Sequence, residues 1–457
     1  MTPIDSSIHP QDGSFIDTKH ARRAAAPAAS SSMQAQDGYL TGKKQAWFAF
    51  AMTFALMLFD YIDRQVIVSL FPHIKAEWAL SDKQLGGLVS IISIVVGLGV
   101  IPVALTADRF SRVKSVVVMA TTWSLATISC MFAGNYAQLF AARAMVGVGE
   151  TGYGSVGAAL ISSLFPKRLR SVLLGAFFAA ASLGSLIGVM LGGVIAAKWG
   201  WKAAFGVVGV PGLVLALLYL LVRDYKTVAL PTTSNTGTIK HIFSTLMRTR
   251  TLLWACLAAA MQVIVMSAVW AWLPSYLNRF HGLAPDVAAK QAALVVLIGA
   301  VGCVFWGFVV DRVALRQPRY KLLTLAILCA ITMVLMLVAF SSSQSGPGQL
   351  KLIYLGGFFL NCTVGVVAGI VMDVIHLGMR STGGAVLALS QNLLGFAVGP
   401  FLVGVMSDKL GLQQAMEVIP VFSILAAAFF IVAMRYYDHD VRQVEKVRLD
   451  SLPAHAA

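Results

Sequence analysis

The sequence has few charged residues for its length. Only 12% of its 457 residues are charged and 58% are hydrophobic, which gives a mean hydropathy of +0.78. A soluble domain usually has about a quarter of its residues charged. The shortage excludes an ordinary soluble protein and indicates a chain embedded in lipid.

Cysteine and acidic residues are also scarce. The five cysteines lie in apolar stretches without metal-ligand spacing, so we expect packing residues, no metal site and no cofactor. The 20 acidic residues are outnumbered by 35 lysines and arginines. Most of these basic residues lie in the connections on one side of the predicted spans, the side that carries both termini. This bias predicts that the termini are cytoplasmic and that the basic residues contact membrane lipids rather than nucleic acid. No soluble segment carries an active-site pattern, so we do not expect an enzyme.

Long apolar stretches fill most of the chain. We count twelve between about residues 46 and 436, separated by short polar connections. Each is long enough for a helix to cross the hydrocarbon core, and none alternates in polarity like a β-barrel strand. The pattern predicts an all-α membrane protein with twelve transmembrane helices, which we expect in the plasma membrane.

The longest polar interruption divides six predicted spans from six. Asp108-Arg109 and Asp311-Arg312 occupy equivalent places in the two parts, which indicates two pseudo-symmetric six-helix bundles. The predicted divisions are a disordered cytoplasmic tail (1–44), an N-terminal bundle (45–222), a cytoplasmic linker (223–250), a C-terminal bundle (251–436) and a cytoplasmic tail (437–457).

Several motifs resemble known families. "ALTADRFSRVK" is similar to the major facilitator signature between helices 2 and 3, although Ala104 and Ser111 replace its usual glycines. "DYIDR" in helix 1, "LSDKQLGGL" before helix 2 and "RAMVGVGETGYG" in helix 4 resemble the Spinster-like group of that superfamily. The resemblance implies the major facilitator fold, a monomer, and alternating-access transport of lysophospholipids or sphingoid phosphates.

Five charged residues lie inside predicted spans, where an unpaired charge costs at least about 2.5 kcal/mol. Asp60, Asp63 and Arg64 share one face of helix 1, and Arg143 and Glu150 share one face of helix 4. Helix geometry predicts two levels, with Asp63 near Arg143, and Asp60 and Glu150 closer to the midplane. We expect an acid of helix 1 to neutralise Arg143 and to leave Glu150 available for a proton.

The resemblance assigns proton coupling and substrate binding to Asp63, Arg143 and Glu150. Asp60 joins the proton-coupling candidates because of its depth and face, and Arg64 joins Arg143 as a candidate for binding the substrate's anionic group. A static ion network that fixes helix register is the alternative.

The signature loop supplies candidates for a gate. We expect Asp108 to interact with the positive end of a nearby helix while the cavity is open outward, and Arg109 and Arg112 to add charge pairs across the same seam. Near the cytoplasmic end of helix 10, Asp373 and His376 are either a second proton relay or simply hydrated.

Two glycine-rich helices predict close helix contacts. Gly175, Gly184, Gly188, Gly192 and Gly193 in helix 5 are spaced for close approach of a neighbouring backbone, as are the glycines of helix 4. The helix 5 pattern resembles the superfamily's antiporter signature, with Val189 in place of its proline.

The polar residues of the second half bear on the substrate. Uncharged and aromatic groups, namely Asn361, Gln391, Asn392, Trp270 and Trp272, would face the charged wall, which suits an amphipathic anion. The sequence therefore predicts a proton-coupled transporter of such an anion. The alternatives are a symporter of a small organic or aromatic carboxylate and a membrane receptor that transports nothing.

Overall fold

Every regular element is helical in the part of the chain that the computed structural model describes, which is residues 39, 41–109, 111–224, 248–341, 346–375 and 380–450. Most of the predicted N-terminal tail, residues 225–247 of the predicted linker and residues 451–457 lie outside it. The helices are labelled here in chain order.

The described part of the first half contains seven α-helices. They are α1 (Lys43–Trp78), α2 (Asp82–Arg109), α3 (Arg112–Met131), α4 (Tyr136–Glu150), α5 (Tyr153–Leu164), α6 (Lys167–Trp199) and α7 (Trp201–Leu218), with a short 3-10 turn at Tyr219–Leu221.

Among its described residues, the second half contains nine α-helices and one π-helix. They are α8 (Arg250–His281), α9 (Pro285–Ala314), α10 (Tyr320–Ser341), α11 (Pro347–Leu360), α12 (Val364–Asp373), α13 (Arg380–Ser390), the π-helix Gln391–Phe396, α14 (Val398–Leu410), α15 (Leu412–Val418) and α16 (Val421–Asp450).

Eleven helices in the described residues are long and apolar enough to cross a membrane. The fourth predicted span is divided into α4 and α5, which have 15 and 12 residues and fall short of a full crossing singly. Gly152 lies at the break with φ +81°, a backbone conformation that suits glycine because it has no Cβ. Helices α4 and α5 together make up the remaining span.

Glycines of α6 determine how closely this helix packs against α1. A Cβ at Gly184, Gly188 or Gly192 would overlap backbone carbonyl groups of α1, at Leu58, Ile62 and Val66 respectively. Close approach was predicted for this stretch, and at these three positions it is confirmed.

The other two glycines predicted for close packing in α6, the fifth predicted span, differ from these three. Gly193 lies against Ala289 of α9, whereas Gly175 faces open space. The three α1 contacts recur every four residues, so they form one continuous stripe that fixes the position of α1, the helix with three of the five charged candidates.

Candidate substrate and proton site

Helix α1 carries three charged side chains into the interior. Asp60, Asp63 and Arg64 are three and four residues apart, so they lie on one face of the helix. Asp60 and Asp63 are 3% and 1% exposed, and the Arg64 side chain is 21% exposed. Groups buried this deeply need charged or polar partners.

Arg143 pairs with Asp63. Its Nη1 lies 3.2 Å from Asp63 Oδ1 and donates to the Asp63 carbonyl oxygen at 3.3 Å. Thr127 of α3 donates a short hydrogen bond to the other carboxylate oxygen, Oδ2. Asp63 is therefore held from α3 and α4 together. Sequence reasoning missed Thr127, although a threonine in an apolar span is a signal for such a contact.

Glu150 pairs with Arg64, a contact that helix geometry alone did not predict. Glu150 Oε2 lies 2.8 Å from Arg64 Nε, and Asp60 Oδ1 lies 3.4 Å from the same nitrogen. The carboxyl groups of Asp60 and Glu150 are also close enough to interact with each other. The Arg64 side chain therefore contacts the two acids that helix geometry places nearer the midplane than the Asp63–Arg143 pair.

The five groups have an unequal charge count. Three carboxylates face two guanidinium groups, so one negative charge is left over when all five are ionised. A net charge in a medium of low dielectric constant is costly. One proton on the Asp60 and Glu150 pair would make the cluster neutral.

Two donors of Arg143 remain available. Its Nε and Nη2 have no hydrogen-bond partner among the described residues, and its side chain is fully buried. Most buried polar groups in proteins are hydrogen-bonded. A guanidinium group with unused donors is suited to a phosphate or carboxylate, which accepts hydrogen bonds from two N–H groups at once.

The gating candidates are only partly described. The side chains of Asp108 and Arg109 lie outside the described residues. Arg112 begins α3, and its Nη1 donates to Ser163 Oγ in α5 at 3.0 Å, a contact within the first half.

Two other predicted groups lie in the second half. Asp373 contacts Lys321 Nζ at 2.8 Å and accepts a hydrogen bond from the Tyr437 hydroxyl at 3.0 Å, whereas His376 lies outside the described residues. Trp272 is fully buried and donates to the Pro400 carbonyl at 2.9 Å. Trp272 therefore joins α8 to α14.

A second charged cluster joins the two halves at the end of the bundle opposite the N-terminus, which we call the outer end. Asp82, the first residue of α2, accepts two hydrogen bonds from Arg279 of α8, at 2.7 and 2.8 Å. Lys75 of α1 and Ser407 of α14 each lie 2.5 Å from the same carboxylate. We call these four residues the outer network.

The start of α2 is also capped from the second half. Asp408 accepts hydrogen bonds from the backbone N–H groups of Asp82 and Lys83, at 2.8 and 2.9 Å. Close approach is possible here because Gly86 and Gly404 lie directly against backbone of the opposite half. Asp82 is the aspartate of "LSDKQLGGL", and the motif itself does not predict this contact between the halves.

Comparison with known proteins agrees with this architecture. The model of the Major Facilitator Superfamily matches residues 53–400. Protein spinster homolog 3 of Danio rerio is 25% identical over 90% of this chain and 89% of its own length. Sphingosine-1-phosphate transporter SPNS2 of Mus musculus is 25% identical over 85% of this chain and 77% of its own length.

A solved structure has the same fold. It is a bacterial homolog of the human lysosomal transporter Spinster, in an inward-facing and unoccupied conformation, which matches with a TM-score of 0.78 at 21% identity. The match covers 87% of this chain and 99% of that chain. The predicted fold class and the Spinster-like resemblance are confirmed, and this multi-pass membrane chain belongs to the major facilitator superfamily of transporters.

Proposed function

We propose that this transporter moves an amphipathic anion together with a proton, by alternating access to a site formed by Asp60, Asp63, Arg64, Arg143 and Glu150. One observation carries the proposal: the cluster has one more acid than base, and Arg143 has unused donors. The first feature provides a place for a proton and the second a place for an anion.

The anion-binding step begins at Arg143. Asp63 neutralises Arg143 in this structure, so an incoming anion competes with it for the guanidinium group. Protonation of Asp63 would remove the competitor's charge and release Arg143. Arg64 provides a second positive charge about one helical turn deeper, shared by Asp60 and Glu150.

The charge count favours binding of both ions together. If an anion entered the buried cluster alone, the net negative charge would rise, at high cost in a medium of low dielectric constant. An added proton keeps the cluster's charge constant. Proton and anion therefore bind as a pair, which corresponds to symport.

The substrate class rests on the charge of the site and on the relatives. Arg143 requires an anionic group, and one relative is named as a transporter of sphingosine 1-phosphate, a single-chain lipid phosphate. A lysophospholipid or sphingoid phosphate is therefore our first candidate. Basic residues such as Lys43, Lys44 and Arg170 lie at one end of the bundle, which supports placing this end in the cytoplasm.

Uptake into liposomes tests the proposal. Purified protein would be reconstituted with albumin and a pH-sensitive dye inside, and radiolabelled sphingosine 1-phosphate would be supplied on external albumin. We expect an inward proton gradient to accelerate uptake, a protonophore to remove the acceleration, and Arg143→Gln to abolish uptake. Arg319→Gln is the matched control, because Arg319 forms an exposed pair with Asp438.

Other outcomes separate the alternatives. Uptake of benzoate instead of the lipid would favour the small-carboxylate symporter. Binding without uptake would favour the receptor. If an inward proton gradient slowed lipid uptake, coupling by antiport would replace symport.

A further inference from the structure

The fourth span is interrupted in both halves. In the first half α4 ends at Glu150 and α5 begins at Tyr153, and in the second half α11 ends at Leu360 and α12 begins at Val364. Interrupted helices at corresponding positions of two repeats are a strong indication of the binding region of a transporter, because backbone polar groups become available there. The second interruption has no role in the proposed function.

The first helix of each half reaches the interruption of the same half. Arg64 of α1 lies 2.8 Å from Glu150, the last residue of α4. Gln262 of α8 donates from Nε2 to the carbonyl oxygen of Leu360, the last residue of α11, at 3.1 Å. The two halves therefore repeat one arrangement, with charged groups in the first half and an amide in the second.

The two arrangements lie at similar depth. Phe71 of α1 and Trp272 of α8 are in ring contact, with centroids 5.2 Å apart, so they mark a common level. Arg64 is seven residues and Gln262 ten residues before these aromatic residues, which places them about 10 and 15 Å further inward at 1.5 Å per residue. The second interruption is therefore about level with the charged cluster.

Two acceptor atoms at the second interruption are unused. Gln262 Oε1 and Asn361 Oδ1 have no hydrogen-bond partner in the described part of the chain, and their residues are 1% and 6% exposed. The Gln262 amide is oriented by its contact with Leu360, since only its nitrogen can donate to that carbonyl. The amide nitrogen of Asn361 lies against Gly299 of α9. The region thus presents oxygens that need a donor.

We propose that Gln262 and Asn361 form a subsite for a hydroxyl or ammonium group of the substrate whose anionic group binds Arg143. The inference rests on the proposed function and narrows its substrate class to amphipathic anions that also carry a hydrogen-bond donor. Unused buried acceptors give selectivity, because a ligand without the donor leaves them unsatisfied.

Three single-chain phosphates test this subsite. Octadecyl phosphate has no donor outside its phosphate, stearoyl lysophosphatidate adds a hydroxyl, and sphingosine 1-phosphate has a hydroxyl and an ammonium group. Dissociation constants would be measured with purified full-length protein by thermal shift. We expect the wild type to bind octadecyl phosphate at least about tenfold more weakly than the better of the other two, the equivalent of one hydrogen bond. If lysophosphatidate binds as tightly as sphingosine 1-phosphate, the subsite recognises the hydroxyl group. If only sphingosine 1-phosphate binds more tightly than octadecyl phosphate, it recognises the ammonium group.

Substitutions locate the selectivity. Gln262→Met and, independently, Asn361→Leu should each remove most of the preference for donor-bearing lipids while changing octadecyl phosphate binding less than about twofold. Gln349→Met is the matched control: Gln349 is a buried glutamine of the same half that bonds Tyr276 and the Ala339 carbonyl, and its loss should keep the preference.

The possible failures are distinguishable. Equal binding of all three lipids by the wild type would overturn the subsite alone, as would equal weakening of all three by Gln262→Met and Asn361→Leu, the result expected if water fills the site. Failure of octadecyl phosphate and both other lipids to bind the wild type would overturn the proposed substrate class and the subsite together.

Discussion

Arg279 and Asp82 form a two-point ion pair between the halves of the molecule, with N–O distances of 2.7 and 2.8 Å. Asp82 is 2% exposed and begins α2, whereas Arg279 lies at the outer end of α8. Arg279 is 27% exposed, so removing one partner should cost less than the about 3 to 5 kcal/mol that is typical of a fully buried pair. The pair therefore favours the state in which the outer ends are in contact.

We predict that Asp82→Asn opens the outer side. Lys75 and Arg279 would then repel each other across the seam, so the population with separated outer ends should rise. A cysteine at Ser275, one helical turn inward from Arg279 and 1% exposed, should react several-fold faster with an impermeant maleimide added outside. The measurement is the labelling rate in a background without the native cysteines.

Asp286→Asn is the control for this experiment. Asp286 lies at the start of α9 near the outer side and pairs with Lys290 of the same helix at 3.2 Å, so its loss breaks no contact between the halves. Unchanged labelling in Asp82→Asn, or equal increases in both variants, would contradict the role of the outer network.

A second prediction concerns Thr127. Its hydroxyl donates to Asp63, so it stabilises the ionised carboxylate over the protonated form. Thr127→Val keeps the side-chain shape and removes the donor. Protonation of Asp63 would then become easier, and the pH of half-maximal transport should rise by about one unit. The measurement is the initial rate of uptake into liposomes between pH 5 and 8.

Thr127→Ser separates this effect from packing, because serine retains the hydroxyl and loses a methyl group. We expect its pH profile to match that of the wild type. If Thr127→Val and Thr127→Ser shift the pH profile of transport equally, or if neither variant shifts it, Thr127 acts only through packing.

The fold and the two levels of the charged cluster could be predicted because both follow from regular spacing. Apolar runs of membrane-spanning length define the spans, and the 3.6-residue period places Asp60, Asp63 and Arg64 on one face. The two levels then follow from helix direction and a rise of 1.5 Å per residue.

The partner of Glu150 could not be predicted in the same way. Whether Arg64 points to Asp60 or to Glu150 depends on the distance between α1 and α4, which the α6 glycines help to set through contacts with α1. The outer network was missed for a similar reason: Asp82 and Ser407 are 325 residues apart, and no local pattern relates them.

A third prediction tests the charge count. Glu150→Gln removes one negative charge, so the four remaining charges balance without a proton. An anion that binds alone then brings the cluster to a net charge of −1, which the fully ionised wild-type cluster has without substrate, so anion binding should lose part of its dependence on pH between 5 and 8. A proton gradient should drive uptake less strongly than in the wild type, because only the protonation of Asp63 remains. Both are measured, the first by dissociation constants across the pH range and the second in liposomes.

The control replaces an acid outside the cluster. Glu77 lies at the outer end of α1, about half exposed, and contacts Trp201 and Lys202, so Glu77→Gln should leave coupling intact. If a proton gradient still drives uptake by the Glu150→Gln variant at the wild-type rate, the excess negative charge of the cluster does not couple the proton to transport.

The fourth prediction concerns the glycine stripe of α6, on which the position of α1 depends. A methyl group at Gly188 would overlap the backbone of Ile62, so Gly188→Ala must push α1 away from α6. Overpacking of this kind typically costs about 1 to 3 kcal/mol. The melting temperature in detergent should therefore fall by several degrees.

Gly175→Ala is the control, because it adds the same methyl group to the same helix at a position that faces open space. We expect it to be neutral or slightly stabilising. Equal melting temperatures for the two variants would show that α1 is positioned by other contacts, and the Asp63–Arg143 distance would then not depend on α6.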